Sequence, residues 1–248
     1  MIRDDDAPAK IRQYVDLPLG AGAALEPSPA QCHYLLTVMR RRDGDAVALF
    51  NGRDGEWLAR IEVFERRRCR LNIEQQSRPQ RPEPGPALLF APLKRIRQEF
   101  LIEKATELGA ASLAPVLCRR SVVDRINRNR VVSIAIEAAE QCGRLTLPEV
   151  DQALPLAERL AVRANGLCLF VGDETGTGQP MADAFDEHGL GDLLIGPEGG
   201  FDPEELAELR AHDGVVPISL GPRTLRAETA ALAALACWQA LYVDEEEA

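Results

Sequence analysis

Residues 78–86 are the segment that most restricts what this chain can fold into. They read Arg-Pro-Gln-Arg-Pro-Glu-Pro-Gly-Pro, with four prolines in nine residues. Proline fixes φ and has no amide hydrogen to donate, so neither a helix nor a strand can continue through such a run. The 248-residue chain is therefore predicted to form a small domain over residues 1–77 and a larger domain over residues 87–248, joined by a linker over residues 78–86.

The first part has the pattern of a small β-rich domain. Turn signals such as Asp43-Gly44-Asp45 separate short apolar runs, which predict strands at residues 46–50, 57–63 and 70–73. A helix is predicted over residues 30–39, directly after Pro27-Ser28-Pro29.

The second part alternates between predicted strands and helices, which is typical of an α/β fold with a mostly parallel sheet. The strands are predicted at residues 87–91, 111–117, 167–171, 193–195 and 215–220, and the helices at residues 96–108, 128–142 and 226–243.

Composition limits the class of protein. With 46% hydrophobic residues the chain can bury a full core. Its start, residues 1–6, has no apolar stretch behind its charges, and no run approaches the roughly 20 apolar residues that cross a bilayer. Six scattered cysteines and three separated histidines lack metal-site spacing. We expect a soluble cytoplasmic protein with reduced thiols and no metal.

The charge is distributed unevenly along the chain. The total is −10, which by itself argues against a polyanionic partner. Residues 1–82 carry a net charge of +2 and residues 94–144 a net charge of +4, whereas residues 145–248, including the acidic tail at 244–247, carry −15. The first sixty per cent of the chain is thus compatible with nucleic acid, although solvated faces would explain the asymmetry equally well.

A glycine-rich turn between a strand and a helix occurs at residues 193–201, Leu-Leu-Ile-Gly-Pro-Glu-Gly-Gly-Phe. Asp202 is a good N-cap, with Pro203 at the first helical position and Glu205 three residues after the cap. The glycines permit positive φ and let a ligand approach bare backbone.

A second such turn follows at residues 215–229, where an apolar strand leads into Gly221 and then into an alanine-rich helix. Two glycine loops at the carboxyl ends of strands define a ligand crevice, unless both are only packing corners. The usual dinucleotide and P-loop signatures are absent. Pro197 and Pro222 also remove amide donors that a phosphate would need, which favours a ligand with an adenine ring and an uncharged link.

Three segments carry a family resemblance: LLIGPEGGF (193–201), LGPRTLRAETAALAAL (220–235) and EAAEQCGR (137–144). In this order and spacing they resemble the RsmE family of ribosomal RNA methyltransferases, of the SPOUT class. The linker falls where that family joins an N-terminal PUA-like RNA-binding β-barrel to a trefoil-knotted α/β methyltransferase domain.

The resemblance implies that a homodimer transfers a methyl group from S-adenosylmethionine to the N3 atom of a uridine in 16S ribosomal RNA. The strand end at residues 171–174 is expected to line the cofactor pocket, but the glycine-rich stretch Thr175-Gly176-Thr177-Gly178 departs from the family there. The positions that match the family's cofactor site are Val171, Gly172, Leu194, Ile195, Gly196, Glu198, Gly199, Leu220, Gly221, Leu225, Arg226 and Thr229.

The chemistry suggests catalytic roles. Uracil N3 carries a proton, so an anion must be formed or stabilised. Arg144, Arg226 or both are predicted to stabilise it electrostatically, and Glu198 or Glu228 to take the proton. Alternatively, the two acids cap backbone amides near helix starts, and Arg226 only pairs with Glu228.

Two basic groups are predicted to contact RNA phosphates, which gives salt-dependent affinity without sequence choice. They are Arg40, Arg41 and Arg42 in the small domain and Lys94, Arg95 and Arg97 in the large one, with Arg119, Arg120 and Arg125 as an extension of the track.

Other functions remain open on the sequence alone. A SPOUT enzyme that methylates tRNA or a ribose would have similar cofactor turns. An RNA-binding assembly factor with an empty pocket is a second alternative, and a nicotinamide or ATP enzyme a third.

Overall fold

The computed structural model of the chain describes residues 11–65, 67–163, 166–173, 175 and 177–242. They divide into two units: the first is Met1–Glu83 with Ala139–Leu147, and the second is the remainder. The division after Glu83 falls inside the predicted linker, but the joining of Ala139–Leu147 to the first unit was not anticipated. The charged start (residues 1–6), Arg66, Glu174, Gly176 and residues 243–248 lie outside the described residues.

The described part of the first unit contains a five-stranded sheet in the order β1-β3-β4-β5-β2. Strands β3, β4 and β5 are joined antiparallel, β1 pairs parallel with β3, and β2 pairs antiparallel with β5. The β-rich prediction is thereby confirmed. The strands are β1 (Arg12–Tyr14), β2 (Ala24–Leu25), β3 (Ala46–Phe50), β4 (Glu56–Glu65) and β5 (Arg68–Arg78).

The predicted helix over residues 30–39 is confirmed only in part. Helix α1 (Pro29–His33) begins with a capping box between Ser28 and Gln31, and Tyr34–Val38 continue as a π-helical turn. Cys32 of α1 lies in the core with Cys69 of β5, their Sγ atoms 3.7 Å apart as free thiols. Burial and the hydrogen bond with Cys32 raise the pKa of Cys69 to about 12, so it stays protonated.

The second unit is built on a parallel sheet. Within the described residues it has eight strands in the order β11-β13-β10-β12-β6-β7-β8, with β9 beside β7, and the strand pairs are parallel. The strands are β6 (Ala87–Phe90), β7 (Ser112–Leu117), β8 (Glu149–Val150), β9 (Leu154–Pro155), β10 (Leu169–Gly172), β11 (Gln179–Pro180), β12 (Asp192–Ile195) and β13 (Val215–Ser219).

Helices cover both faces of this sheet, as expected when strands are continuous apolar runs. Alternate residues of one strand enter different cores: Leu193 packs in a cluster with residues of α2, α3, α5 and α7, and Leu194 in a cluster with residues of α4 and α6. The helices are α2 (Arg95–Glu107), α3 (Arg128–Cys142), α4 (Leu156–Ala161), α5 (Met181–His188), α6 (Pro203–Ala211) and α7 (Ala227–Leu241). No described helix has the length and apolar character of a membrane span.

Arg12 fastens the end of α3 within the first unit. Its guanidinium donates to the carbonyl oxygens of Ala139 and Glu140 in the last turn of the helix and to that of Arg144 at 2.6 Å. It also donates to Glu56 Oε2 at 2.7 Å. A cation at a helix carboxyl end also complements the helix dipole.

We predict that Arg12→Ala lowers the free energy of unfolding by about 3 kcal/mol, because it leaves Glu56 buried without this cation and removes the guanidinium that donates to three carbonyl oxygens. Urea denaturation followed by circular dichroism measures this. Arg53→Ala is the control: Arg53 pairs with Asp16 at 3.5 Å on the exposed surface, and its loss should cost less than about 0.5 kcal/mol. Equal effects of the two variants would refute the role given to Arg12.

Candidate functional site

Three neighbouring strands of the second unit end at one edge of the sheet. Strand β10 lies between β13 and β12, and both pairings are parallel, with Val171 opposite Leu194 and Pro217. The loops that follow these strands therefore emerge side by side, at the position where open α/β sheets bind ligands.

The predicted cofactor positions fall on these strand ends, the loops after them and the first turn of α7. Val171, Leu194 and Ile195 are buried in the apolar cores beneath the strand ends. Of the other nine positions, those partly buried are Gly172, Gly196, Leu220 and Leu225, and those exposed are Glu198, Gly199, Gly221, Arg226 and Thr229.

Glycine is required at two places in the loops for different reasons. A Cβ at Gly196 would lie 2.7 Å from the ring of Phe201, so the loop folds back onto that ring only with glycine. Gly221 has φ of +107°, a region that side chains rarely adopt. Gly199, by contrast, is nearly free of protein neighbours, since Arg120 Cβ at 3.9 Å is the nearest atom to its Cβ position. Its backbone is therefore open to a ligand.

The start of α6 holds the loop after β12. Asp202 and Glu205 form the predicted capping box. Arg120 donates to the Gly199 carbonyl at 3.3 Å, and Arg119 pairs with Asp202 and with Glu204. Two of the arginines predicted to extend the RNA track are thus engaged with an acidic helix start.

Both predicted proton acceptors contact Arg97, which was predicted to bind RNA. Arg97 Nη1 is in direct contact with Glu198 Oε1, and Arg97 Nε lies 3.6 Å from Glu228 Oε1. Residues from α2, the loop after β12 and the first turn of α7 therefore form one charged cluster.

Arg226, the residue before α7, is exposed. Among the residues that the structure describes, no carboxylate lies within ion-pair distance of it, and Glu228 pairs with Arg97 instead. The alternative that Arg226 pairs with Glu228 is therefore wrong.

Arg144 lies in the first unit, in a different environment. Its side chain is 9% exposed, and Nε lies 3.7 Å from Glu83 Oε2. Burial lowers the pKa of Arg144, although Glu83 opposes this. Burial also acts to raise the pKa of Glu83, but hydrogen bonds from Thr146 and the amide of Leu145 outweigh it and hold that pKa below its ordinary value.

The remaining predicted RNA contacts lie on the surface. Arg40 and Arg42 are exposed, and Arg41 pairs with Asp45 at 3.9 Å. Lys94 caps the start of α2 without a side-chain hydrogen bond to the helix, and Arg95 pairs with Glu99 at 3.1 Å. The described residues contain no group of three or more metal-ligating side chains.

Asp173 lies in the strand end that was expected to line the pocket, but its role in organising the loop after β10 was not predicted. Its side chain is fully buried and accepts hydrogen bonds from Thr175, Thr177 and Arg210. Burial acts to raise the pKa of Asp173, but these hydrogen bonds outweigh it and lower the pKa to about 2. The threonines that depart from the family pattern thus have a structural role. An acid directly after a buried strand was the available signal.

We predict that Asp173→Asn destabilises the protein by about 2 kcal/mol at pH 7, the equivalent of a pKa lowered from 3.8 to about 2. Since the folded-state pKa is depressed, this contribution is present above about pH 4 and is lost as the pH falls towards 2. Urea denaturation at several pH values should show the gap from wild type narrowing below pH 4. Asp186→Asn on α5, at an exposed position, should leave stability unchanged; a gap for Asp173→Asn that is constant with pH would contradict the assignment.

Family models match both units. The RNA methyltransferase domain matches residues 82–239, and the RNA methyltransferase PUA domain matches residues 28–74. Ribosomal RNA small subunit methyltransferase E of Rickettsia conorii is 31% identical over 91% of this chain and 93% of its own length. The protein of the same name from Synechocystis is 32% identical over 88% of this chain and 74% of its own length.

Solved structures of similar fold are also methyltransferases. A methyltransferase from Legionella pneumophila with bound SAM is 32% identical and superposes with a TM-score of 0.83, covering 93% of this chain and 97% of its own. Ribosomal RNA small subunit methyltransferase E from Neisseria gonorrhoeae, bound to S-adenosyl methionine, is 28% identical with a TM-score of 0.83, covering 94% and 98%. Because the family model spans most of the chain and these relatives match both units, the resemblance carried by the three motifs is confirmed, and the chain belongs to the RsmE family of RNA methyltransferases.

Proposed function

We propose that this chain transfers a methyl group from S-adenosylmethionine to ribosomal RNA of the small subunit. The observation that carries the proposal is the crevice at the ends of β10, β12 and β13, in a fold whose solved relatives hold this cofactor. The names of the curated relatives supply the substrate class.

The residues around the crevice fit such a cofactor. Val171, Leu194 and Ile195 are buried beneath it, and half-buried Leu220 and Leu225 provide apolar walls suited to an adenine ring. The exposed backbone at Gly199 offers its amide to the polar end of the ligand. Once bound, S-adenosylmethionine supplies an electrophilic methyl group on a sulfonium ion.

The acceptor that we propose is the N3 atom of a uridine in 16S ribosomal RNA. Holding that atom in line with the methyl group provides much of the acceleration. The exposed guanidinium of Arg226 is free to stabilise negative charge on the uracil oxygens. We give this role to Arg226 before Arg144, because Arg144 is buried beside Glu83. Glu198 and Glu228 remain the proposed proton acceptors.

RNA contact is proposed for Lys94 and Arg95 and for Arg40, Arg41 and Arg42. The start of α2 has basic residues and no acidic residue in its first turn. Cations at a helix amino end oppose the helix dipole, so helix stability does not account for them. A polyanionic partner does account for them.

Three further properties follow from the family resemblance. We propose a homodimer, which the exposed Leu241 near the stacked rings of Trp238 and Tyr242 supports as an apolar contact. The trefoil knot stays a prediction. A cytoplasmic location is proposed because the substrate is ribosomal RNA.

We predict that the purified protein binds S-adenosylhomocysteine saturably in calorimetric titration and binds neither ATP nor NAD. Gly221→Ala should weaken this binding about tenfold or more, because the strained loop can no longer line the pocket. Gly214→Ala, at φ of +77° before β13, carries similar strain at the opposite strand end and is the matched control. Wild-type protein that binds no S-adenosylhomocysteine, even with RNA present, would refute the proposed function.

We predict that Arg226→Ala lowers the methylation rate of 16S ribosomal RNA by about 10²–10³-fold while binding of RNA and S-adenosylhomocysteine persists. Mass-spectrometric mapping of methylated uridines measures the product and identifies the acceptor atom. Arg223→Ala, exposed in the same loop, is the control. If Arg226→Ala and Arg144→Ala both retain full turnover, the electrostatic role is wrong.

A further inference from the structure

Arg97 joins two segments that are far apart in the chain. Its guanidinium contacts Glu198, which lies between Gly196 and Gly199 in the loop after β12, and approaches Glu228 to 3.6 Å at the start of α7. Strands β12 and β13 are not neighbours, because β10 separates them. Their loops therefore have no strand pairing to hold them together.

Glu228 depends on Arg97 because its carboxylate is buried. The side chain of Glu228 is only 11% exposed, and among the described residues its Oε2 atom is buried without a hydrogen-bond partner. A buried carboxylate is unfavourable unless a cation compensates it, and the amino end of α7 contributes only part of that compensation. Arg97 supplies the opposite charge.

We infer that Arg97 is a positioning residue that links the two glycine loops of the cofactor pocket, and that it is not a phosphate contact. This inference rests on the proposed function, since it concerns the same pocket. A guanidinium has a fork of donors that can bind two carboxylates at once. Removing it breaks the link between Glu198 and the start of α7 and leaves Glu228 without its cation, so the pocket loses its binding arrangement before RNA arrives.

The neighbouring basic residues differ from Arg97. Arg95 is 85% exposed and pairs only with Glu99 of its own helix among the described residues, and Lys94 is exposed. A phosphate reaches these two without displacing anything from the pocket. To reach Arg97 it would have to displace two carboxylates.

The test is calorimetric titration of the full-length protein with S-adenosylhomocysteine in the absence of RNA. We expect Arg97→Ala to weaken binding about tenfold, which is within the range of coupling between residues in contact. Arg97→Lys should recover part of the affinity, because an ammonium keeps the charge but loses the fork. Lys104→Ala is the matched control: Lys104 lies on the same helix with similar exposure, but its carboxylate partners Glu103 and Glu107 belong to α2.

A double-mutant cycle distinguishes a specific interaction between Arg97 and Glu198 from a general loss of stability. If Arg97 acts through Glu198, the variant Arg97→Ala/Glu198→Gln binds no more weakly than Arg97→Ala alone. Wild-type affinity of Arg97→Ala for S-adenosylhomocysteine, with a salt-dependent loss of RNA affinity, overturns the inference and restores the phosphate role. Circular dichroism checks that Arg97→Ala folds. If it does not, the same titrations are made with Arg97→Met, which keeps most of the side-chain length but carries no charge. Binding by the wild type decides the proposed function separately.

Discussion

The parallel pairing of β13, β10 and β12 is the constraint on which the candidate site depends. Parallel strands in register bring their carboxyl ends to one edge, so three loops meet although residues 173 and 226 are far apart in the chain. The pairing is stable because alternate side chains enter apolar cores on both faces of the sheet. The glycines of these loops can meet a ligand with bare backbone because the strands beneath them are held in place by this packing.

Ion pairs then shape the loops in the acidic part of the chain. Asp173 is bound by Arg210, Asp202 by Arg119, and Glu198 by Arg97. Much of the negative charge around the crevice is therefore compensated locally. Some cations are not compensated in this way: Arg226 is unpaired among the described residues, and Lys94 is exposed at a helix start. This separation is how an acidic protein keeps positive charge available for a polyanion.

The segment EAAEQCGR has a structural explanation that does not require catalysis. Its Glu140 accepts hydrogen bonds from Gln13 and from the amide of Tyr14, and its Arg144 lies beside Glu83. These contacts place the end of α3 in the first unit. The sequence shows the family motif but not these partners, because Glu83 lies more than sixty residues from Arg144 and Gln13 more than a hundred from Glu140. The catalytic role of Arg144 stays a prediction.

Sequence alone determined the local structure and the family. Apolar runs predicted β3, β6 and β12, the Asp202 capping box predicted the start of α6, and glycine loops predicted the crevice. It missed α5, although Met181, Ala184 and Phe185 have helical spacing, and β1, which at three residues is too short to show a pattern. Only the tertiary structure decided which distant polar groups contact each other: Arg97 contacts Glu198, and Arg12 contacts the carbonyl oxygens at the end of α3. Capping and periodicity act over a few residues, whereas these contacts exist only after sheet pairing and helix packing have brought segments about a hundred residues apart together.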